Sequence, residues 1–178
     1  DLRDPGVEHV LERHCQYPNM RGIRDFSALR LRSATDPPVG PDFHRGFALL
    51  EKYDLRPSMN AQWQHMETLR DLAGKFPNIT IVVDHAGAPA ERTPEYFQNW
   101  KRGMAIAAEA DNIRCKISGL GMAEPNWNAD SIRPYVLHCI ETFGIDRSFF
   151  GSNWPVDWLF STYDYLLDAY HEITADFT

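Results

Sequence analysis

Apolar residues along the chain recur at two spacings, and short segments of one kind alternate with longer segments of the other. Met20-Arg21-Gly22-Ile23-Arg24 predicts a short strand. Phe43, Phe47 and Leu50 then fall at helical spacing across Asp42 to Tyr53. Leu55 to Asn60 reads as a second strand, weakened by Pro57. Gln62 to Phe76 reads as a helix with Met66, Leu69, Leu72 and Ala73 on one side. The clearest strand is Ile79 to Asp84, β-branched and almost wholly apolar, as in a parallel strand buried on both faces. Thr93-Pro94-Glu95 opens a helix running to about Ala110, with Thr93 as N-cap and Pro94 in its first position. Ile113 to Ser118 is the next strand and Ser131 to Phe143 the next helix, stopped by Gly144. Phe149-Phe150-Gly151-Ser152 is a further strand, and Thr162 to Ile173 a closing helix.

This order predicts βαβ units on a parallel sheet. The pattern alone does not separate a barrel from an open doubly wound sheet. No GxGxxG or GxxxxGK[ST] follows any strand, so dinucleotide-binding and P-loop folds are excluded. No linker-like segment divides the chain, and residues 1–178 are expected to form a single domain. A complete eight-stranded (β/α) barrel takes about 250 residues, so a barrel built from this chain would be partial.

Composition narrows the partners. At 43% hydrophobic and 24% charged the chain is of the ordinary globular kind. A net charge of −7 with scattered Lys and Arg argues against nucleic acid. No apolar run approaches the roughly 18 residues that span a membrane. Cys15, Cys115 and Cys139 lie far apart in no metal-binding spacing, which points to reduced thiols and a cytoplasmic setting. The opening DLRDPGVEHV has neither a signal pattern nor an initiator Met, as expected of a processed, excised or incomplete piece.

Ligands of parallel α/β folds meet the C-terminal ends of the strands. Three such ends carry polar groups. Asp84-His85 runs into the turn Ala86-Gly87-Ala88-Pro89, where His85 either acts on a ligand or only caps the strand. In Cys115-Lys116-Ile117-Ser118-Gly119, alternation turns Lys116 and Ser118 away from the helices, leaving Lys116 to an anionic ligand or an internal salt bridge with Asp84. Gly151-Ser152-Asn153-Trp154-Pro155-Val156-Asp157 places Asn153 at a strand tip. Arg24 shares a face with Gly22 and is placed either to hold a carboxylate in the space the glycine leaves or to act structurally. Trp127, Trp154, Trp158 and Phe160 are suited to stacking on a sugar-like ring, though aromatics at this density more often form core.

Taken in order, MRGIRD, LAGKFPNITIVVDHAGAP, the W-x-x-x-M of Trp100 to Met104, NIRCKISGLGM and FGIDRSFFGSNWPVDWLFSTYDYLLDAY resemble the amidohydrolase-2 family. The resemblance is to its branch of sugar-lactone and dicarboxylate-lactone hydrolases and related decarboxylases. It implies a TIM barrel, incomplete here, running roughly from strand two or three to strand eight. The first strand and the family's H-x-H pair would be missing, and none of the seven histidines forms an H-x-H. His85 matches the family histidine at the end of strand five, which contacts metal or substrate. Arg24 matches a strand-three position suited to substrate carboxylate or hydroxyl. Asn153 falls where many members carry the Asp that accepts the proton of the attacking water. An amide takes no proton at ordinary pH, which leaves His85, Asp84 or Asp157 as base. A divalent metal such as Zn²⁺ is implied for a longer form, with His85 as one ligand, and none is expected in this chain alone.

The resemblance thus implies a hydrolase that opens a small sugar-derived or carboxylated lactone. In that reading His85 polarises the carbonyl or assists the water, and Asn153 positions the water. Arg24 and Lys116 hold the substrate, with Asn60, Ser118 and Trp154 also in contact with it. The alternatives are a non-oxidative decarboxylase on the same scaffold, and a catalytically silent remnant or small-molecule-binding protein. A homo-oligomer is a further expectation. Open sheet edges predict a chain that is poorly stable, self-associating, or both.

Overall fold

Five parallel strands lie side by side in simple chain order: β1 (Gly22–Asp25), β2 (Arg56–Met59), β3 (Ile81–Val83), β4 (Ile113–Ile117) and β5 (Ser148–Phe150). They belong to a computed structural model that describes residues 1–25 and 39–177. The order settles what periodicity leaves open. A doubly wound sheet reverses direction at one strand and takes helices on both faces. A sheet wound one way throughout takes them on one face and curves toward closure. The molecule is therefore an arc of a (β/α) barrel.

The helices α2 (Pro41–Lys52), α3 (Met66–Lys75), α4 (Pro94–Ala108), α5 (Ala129–Phe143) and α6 (Tyr163–Ile173) follow the strands in turn. Their starts are chemical. The Tyr96 amide donates to Thr93 Oγ1 at 3.2 Å ahead of α4, and the Tyr165 amide to Thr162 Oγ1 at 3.2 Å ahead of α6. The helix predicted from Ser131 starts earlier, because Ser131 is the inner half of a capping box. Its amide donates to Asn128 Oδ1 at 3.0 Å while the Asn128 amide donates to Ser131 Oγ at 3.1 Å. Another helix, α1 (Val7–Cys15), has no counterpart in the pattern. It buries only Val7 and Leu11 and has no side-chain cap.

Alternation along the strands sorts the faces. Met59, Ile81, Val83, Ile113, Cys115 and Ile117 are wholly buried and belong to one core with Phe43, Phe47, Leu50, Met66, Leu69, Trp100 and Met104. Ser58, Val82 and Lys116 are half-buried, so β3 is not covered on both faces as its composition predicts. Register sets Arg24 beside Ser58 and Ser58 beside Val82, so these residues form a row across three strands. Among the described residues no helix is long and apolar enough to cross a membrane.

Candidate active site

Past the tip of β3 the chain passes through four successive residues of positive φ: His85 (54°), Ala86 (51°), Gly87 (70°) and Ala88 (45°). A residue other than glycine enters this left-handed region at about 1–2 kcal/mol, so the turn requires support. The Trp100 indole donates to Ala86 O at 2.7 Å, and the Ala88 amide to His85 O at 2.7 Å. Arg92 donates to Pro89 O at 3.1 Å and to Leu120 O at 2.5 Å, and meets Glu124 Oε2 at 3.1 Å. Its guanidinium also lies 4.5 Å over the Tyr135 ring. Arg92 thereby ties the loop after β3 to the loop after β4.

Asp84 is fully buried, with Arg24 Nε 2.9 Å from Oδ2 and Lys116 Nζ paired with Oδ1. Burial pushes the Asp84 pKa up, but the Lys116 ammonium, the Ser58 hydroxyl and the Arg24 charge together bring it below the usual carboxylate value. The space above Gly22 is not left to Arg24. The Arg56 carbonyl of β2 approaches there so closely that a Cβ would overlap it. Arg24 turns instead to Asp84 and to His85.

His85 faces Arg24 through Nε2 at 2.7 Å and Ser118 Oγ through Nδ1 at 2.9 Å. A guanidinium only donates. Nε2 is therefore the acceptor, and Nδ1 carries the proton and donates to Ser118. Burial lowers the His85 pKa to about 4, with Asp84 opposing and the Arg24 and Lys116 charges assisting. The imidazole is neutral at neutral pH.

Asn153, also at positive φ (54°), donates through Nδ2 to Asp157 Oδ1 at 2.7 Å. Gly119 sits between it and the histidine. A Cβ on Gly119 would stand 2.9 Å from His85 Nδ1 and 3.1 Å from Asn153 Nδ2, and the residue's φ is +64°. Glycine meets both conditions.

Hydrogen bonds and ion pairs thus join Arg24, Asp84, His85, Lys116 and Ser118 into one cluster, and the Asn153–Asp157 pair lies across Gly119 from His85. Among the described residues no hydrogen bond ties two other predicted residues to this cluster. Asn60 keeps Oδ1 buried with no hydrogen-bond partner among the described residues, and Trp154 packs edge-on against Tyr163 with centroids 5.3 Å apart. Trp127 is buried while Trp158 is 73% exposed, so the aromatics form no shared platform. Ser58, Arg92 and Gly119 join the site without having been singled out in the sequence. Ser58 was open to detection as the outward member of β2. Arg92 carries no local signal.

The sequence model of the amidohydrolase family matches residues 2–178. The chain belongs to that family. This amidohydrolase is 40% identical over 184 residues to the uncharacterized protein y4mH of Sinorhizobium fredii, a match covering 100% of the chain and 62% of the relative. It is 34% identical over 157 residues to an L-fucono-1,5-lactonase of Burkholderia ambifaria, covering 88% of the chain and 53% of that enzyme. A crystal structure of an amidohydrolase from Burkholderia multivorans with bound zinc superposes with a TM-score of 0.82 at 25% identity, over 99% of the chain and 64% of that protein. The chain spans between about half and two thirds of the length of these relatives.

Amidohydrolases commonly use a divalent metal, so the donors present here bear on that chemistry. Among the described residues no three His, Cys, Asp or Glu side chains come together. The two adjacent candidates, Asp84 and His85, already face the cations Arg24 and Lys116. Zn²⁺ takes three protein ligands at a catalytic site, and a guanidinium on His85 Nε2 competes for the same lone pair. By themselves the described residues do not make up a metal site.

Proposed function

We propose that the protein hydrolyses a small lactone bearing an anionic or hydroxylated substituent. One observation carries the reading: two cations, Arg24 and Lys116, converge on a single buried carboxylate beside a neutral histidine whose Nε2 points to Arg24. An anionic group of the substrate exchanges with Asp84 and His85 as a partner of Arg24, which is half-exposed, and is held there by charge-assisted hydrogen bonds. His85 Nε2 is then released to accept a hydrogen bond from water, which favours assistance to the water over polarisation of the carbonyl. Water adds to the ring carbonyl carbon and the ring C–O bond breaks. The ring oxygen leaves as a hydroxyl, and one proton is released as the new carboxylic acid ionises. Asp84, held ionised by its two cations, orients them and is not the base. The lactonase name of a relative agrees with this chemistry.

The test is a panel of sugar-derived and carboxylated lactones offered to the natively produced protein, with and without divalent metal. Turnover of at least one member is expected, and His85→Ala should lower it at least tenfold. A panel without turnover would overturn the proposal, and calorimetric binding without turnover would favour a binding protein. Unchanged turnover by His85→Ala would remove His85 from the mechanism.

A further inference from the structure

Asp157 lies in the short turn Val156–Leu159 and is only 1% exposed. A carboxylate so placed needs a donor. Among the described residues its side chain receives one hydrogen bond, from Asn153 Nδ2 at 2.7 Å. Burial raises its pKa and the Asn153 bond draws it back. The main chain closes on the same residue, since the amides of Val156 and Asp157 both point at Asn153 O, at 2.9 Å and 3.3 Å. The Tyr170 hydroxyl, whose own pKa is raised by burial and by the charge of Asp157, is buried with no hydrogen-bond partner among the described residues. Asn153 is thus held at both its carbonyl and its amide nitrogen by a single loop.

That double hold has a chemical result. A carboxylate accepts and does not donate, so the end of the Asn153 amide facing Asp157 must be Nδ2. Oδ1 is the end that remains. A charge-assisted bond at Nδ2 also polarises the amide and strengthens Oδ1 as an acceptor. We propose that Asp157 is a positioning residue, whose buried carboxylate fixes the flip of Asn153 and presents Oδ1 as the acceptor that holds the attacking water. Asp157, only 1% exposed, acts through its bond to Asn153 and not on the substrate. The water in this statement rests on the lactonase reading, whereas the hydrogen bond does not.

Two measurements on the natively produced protein test it together. The first is the pair of Asn153 side-chain NH₂ resonances by NMR, in the wild type, Asp157→Asn and Asp157→Ala. One wild-type amide proton is expected well downfield of an exposed asparagine. Asp157→Asn keeps an acceptor but removes the charge, so the displacement should shrink. Asp157→Ala should abolish it. The second is kcat against KM for an active lactone. Asp157→Asn should lower kcat several-fold, and Asp157→Ala tenfold or more, with KM within about twofold of wild type. Asn153 resonances that stay in place in both variants would overturn the proposal. So would resonances that move while kcat stays within twofold. Should Asp157→Ala fail to fold, the isosteric Asp157→Asn decides alone. If the wild type opens no lactone, the functional reading fails, and the amide resonances still judge the hold of Asp157 on Asn153.

Discussion

A fully buried carboxylate such as Asp84 is tolerated only because two cations share it. Lys116→Met leaves Arg24 as the remaining ion-pair partner, and we expect a loss of about 2–3 kcal/mol in urea denaturation, below the full cost of stranding a buried charge. Adding Asp84→Asn should recover part of that loss, and a double variant no more stable than Lys116→Met would count against the ion pair as the cause. The histidine beside it sets an acid limit. His85 titrates near 4 in the folded chain and near its ordinary value of 6.5 when unfolded. Between those values the unfolded chain binds the extra proton, so stability falls as pH drops from about 6.5 to about 4, by at most about 1.4 kcal/mol per unit, and is flat above 7. His65 and His138, also lowered by burial, act in the same direction, while Asp157, raised by burial, opposes them. Urea midpoints from pH 4 to pH 8 should show the slope, and His85→Gln should make it shallower. A level profile across that window would contradict the neutral buried imidazole.

At the scale of elements, the loops after β3 and β4 are held together by one side chain. Arg92 bonds to Pro89 O, Leu120 O and Glu124 at once. Arg92→Met should therefore speed amide hydrogen exchange in residues 85–90 and 119–124 together while leaving α2 and α3 protected. Faster exchange in only one of the loops would mean that they are held independently. The strands and the helices between them were legible, because apolar spacing is a local property. Asp84, His85, Lys116 and Ser118 were legible as strand-end residues for the same reason. The apolar pattern left the winding of the sheet open, since it depends on which strands pair across long separations, and the family resemblance supplied it. The partner of Arg24 was not legible, since Asp84 follows a strand two places away in the sheet. The turn after β3 was legible from Gly87 and Pro89, but its left-handed backbone was not, because Ala86 and Ala88 carry no preference for positive φ. Helix α1 escaped because its buried stripe is two residues wide.

At the largest scale, the described residues form an arc with two edges. Among the described residues β1 pairs only with β2, and β5 only with β4. Phe149 and Phe150 on β5 are about two-fifths exposed, and Leu159 in the following loop is 79% exposed. Edges and apolar surface of this kind recruit other chains. The 178-residue chain studied alone should therefore associate with itself as its concentration rises, as read by light scattering, and Phe149→Lys should weaken the association. A monomer with a sharp melt above about 55 °C would argue otherwise. The molecule is also almost uniform in hand, for its helices are right-handed as L-amino acids require. Single residues aside, the stretch from His85 to Ala88 departs from this among the described residues, four in succession wound as the mirror image of the helices. Chirality therefore has opposite meanings in two parts of one chain. A D-alanine that would break any of the helices described above would find, at position 88, the backbone conformation it prefers.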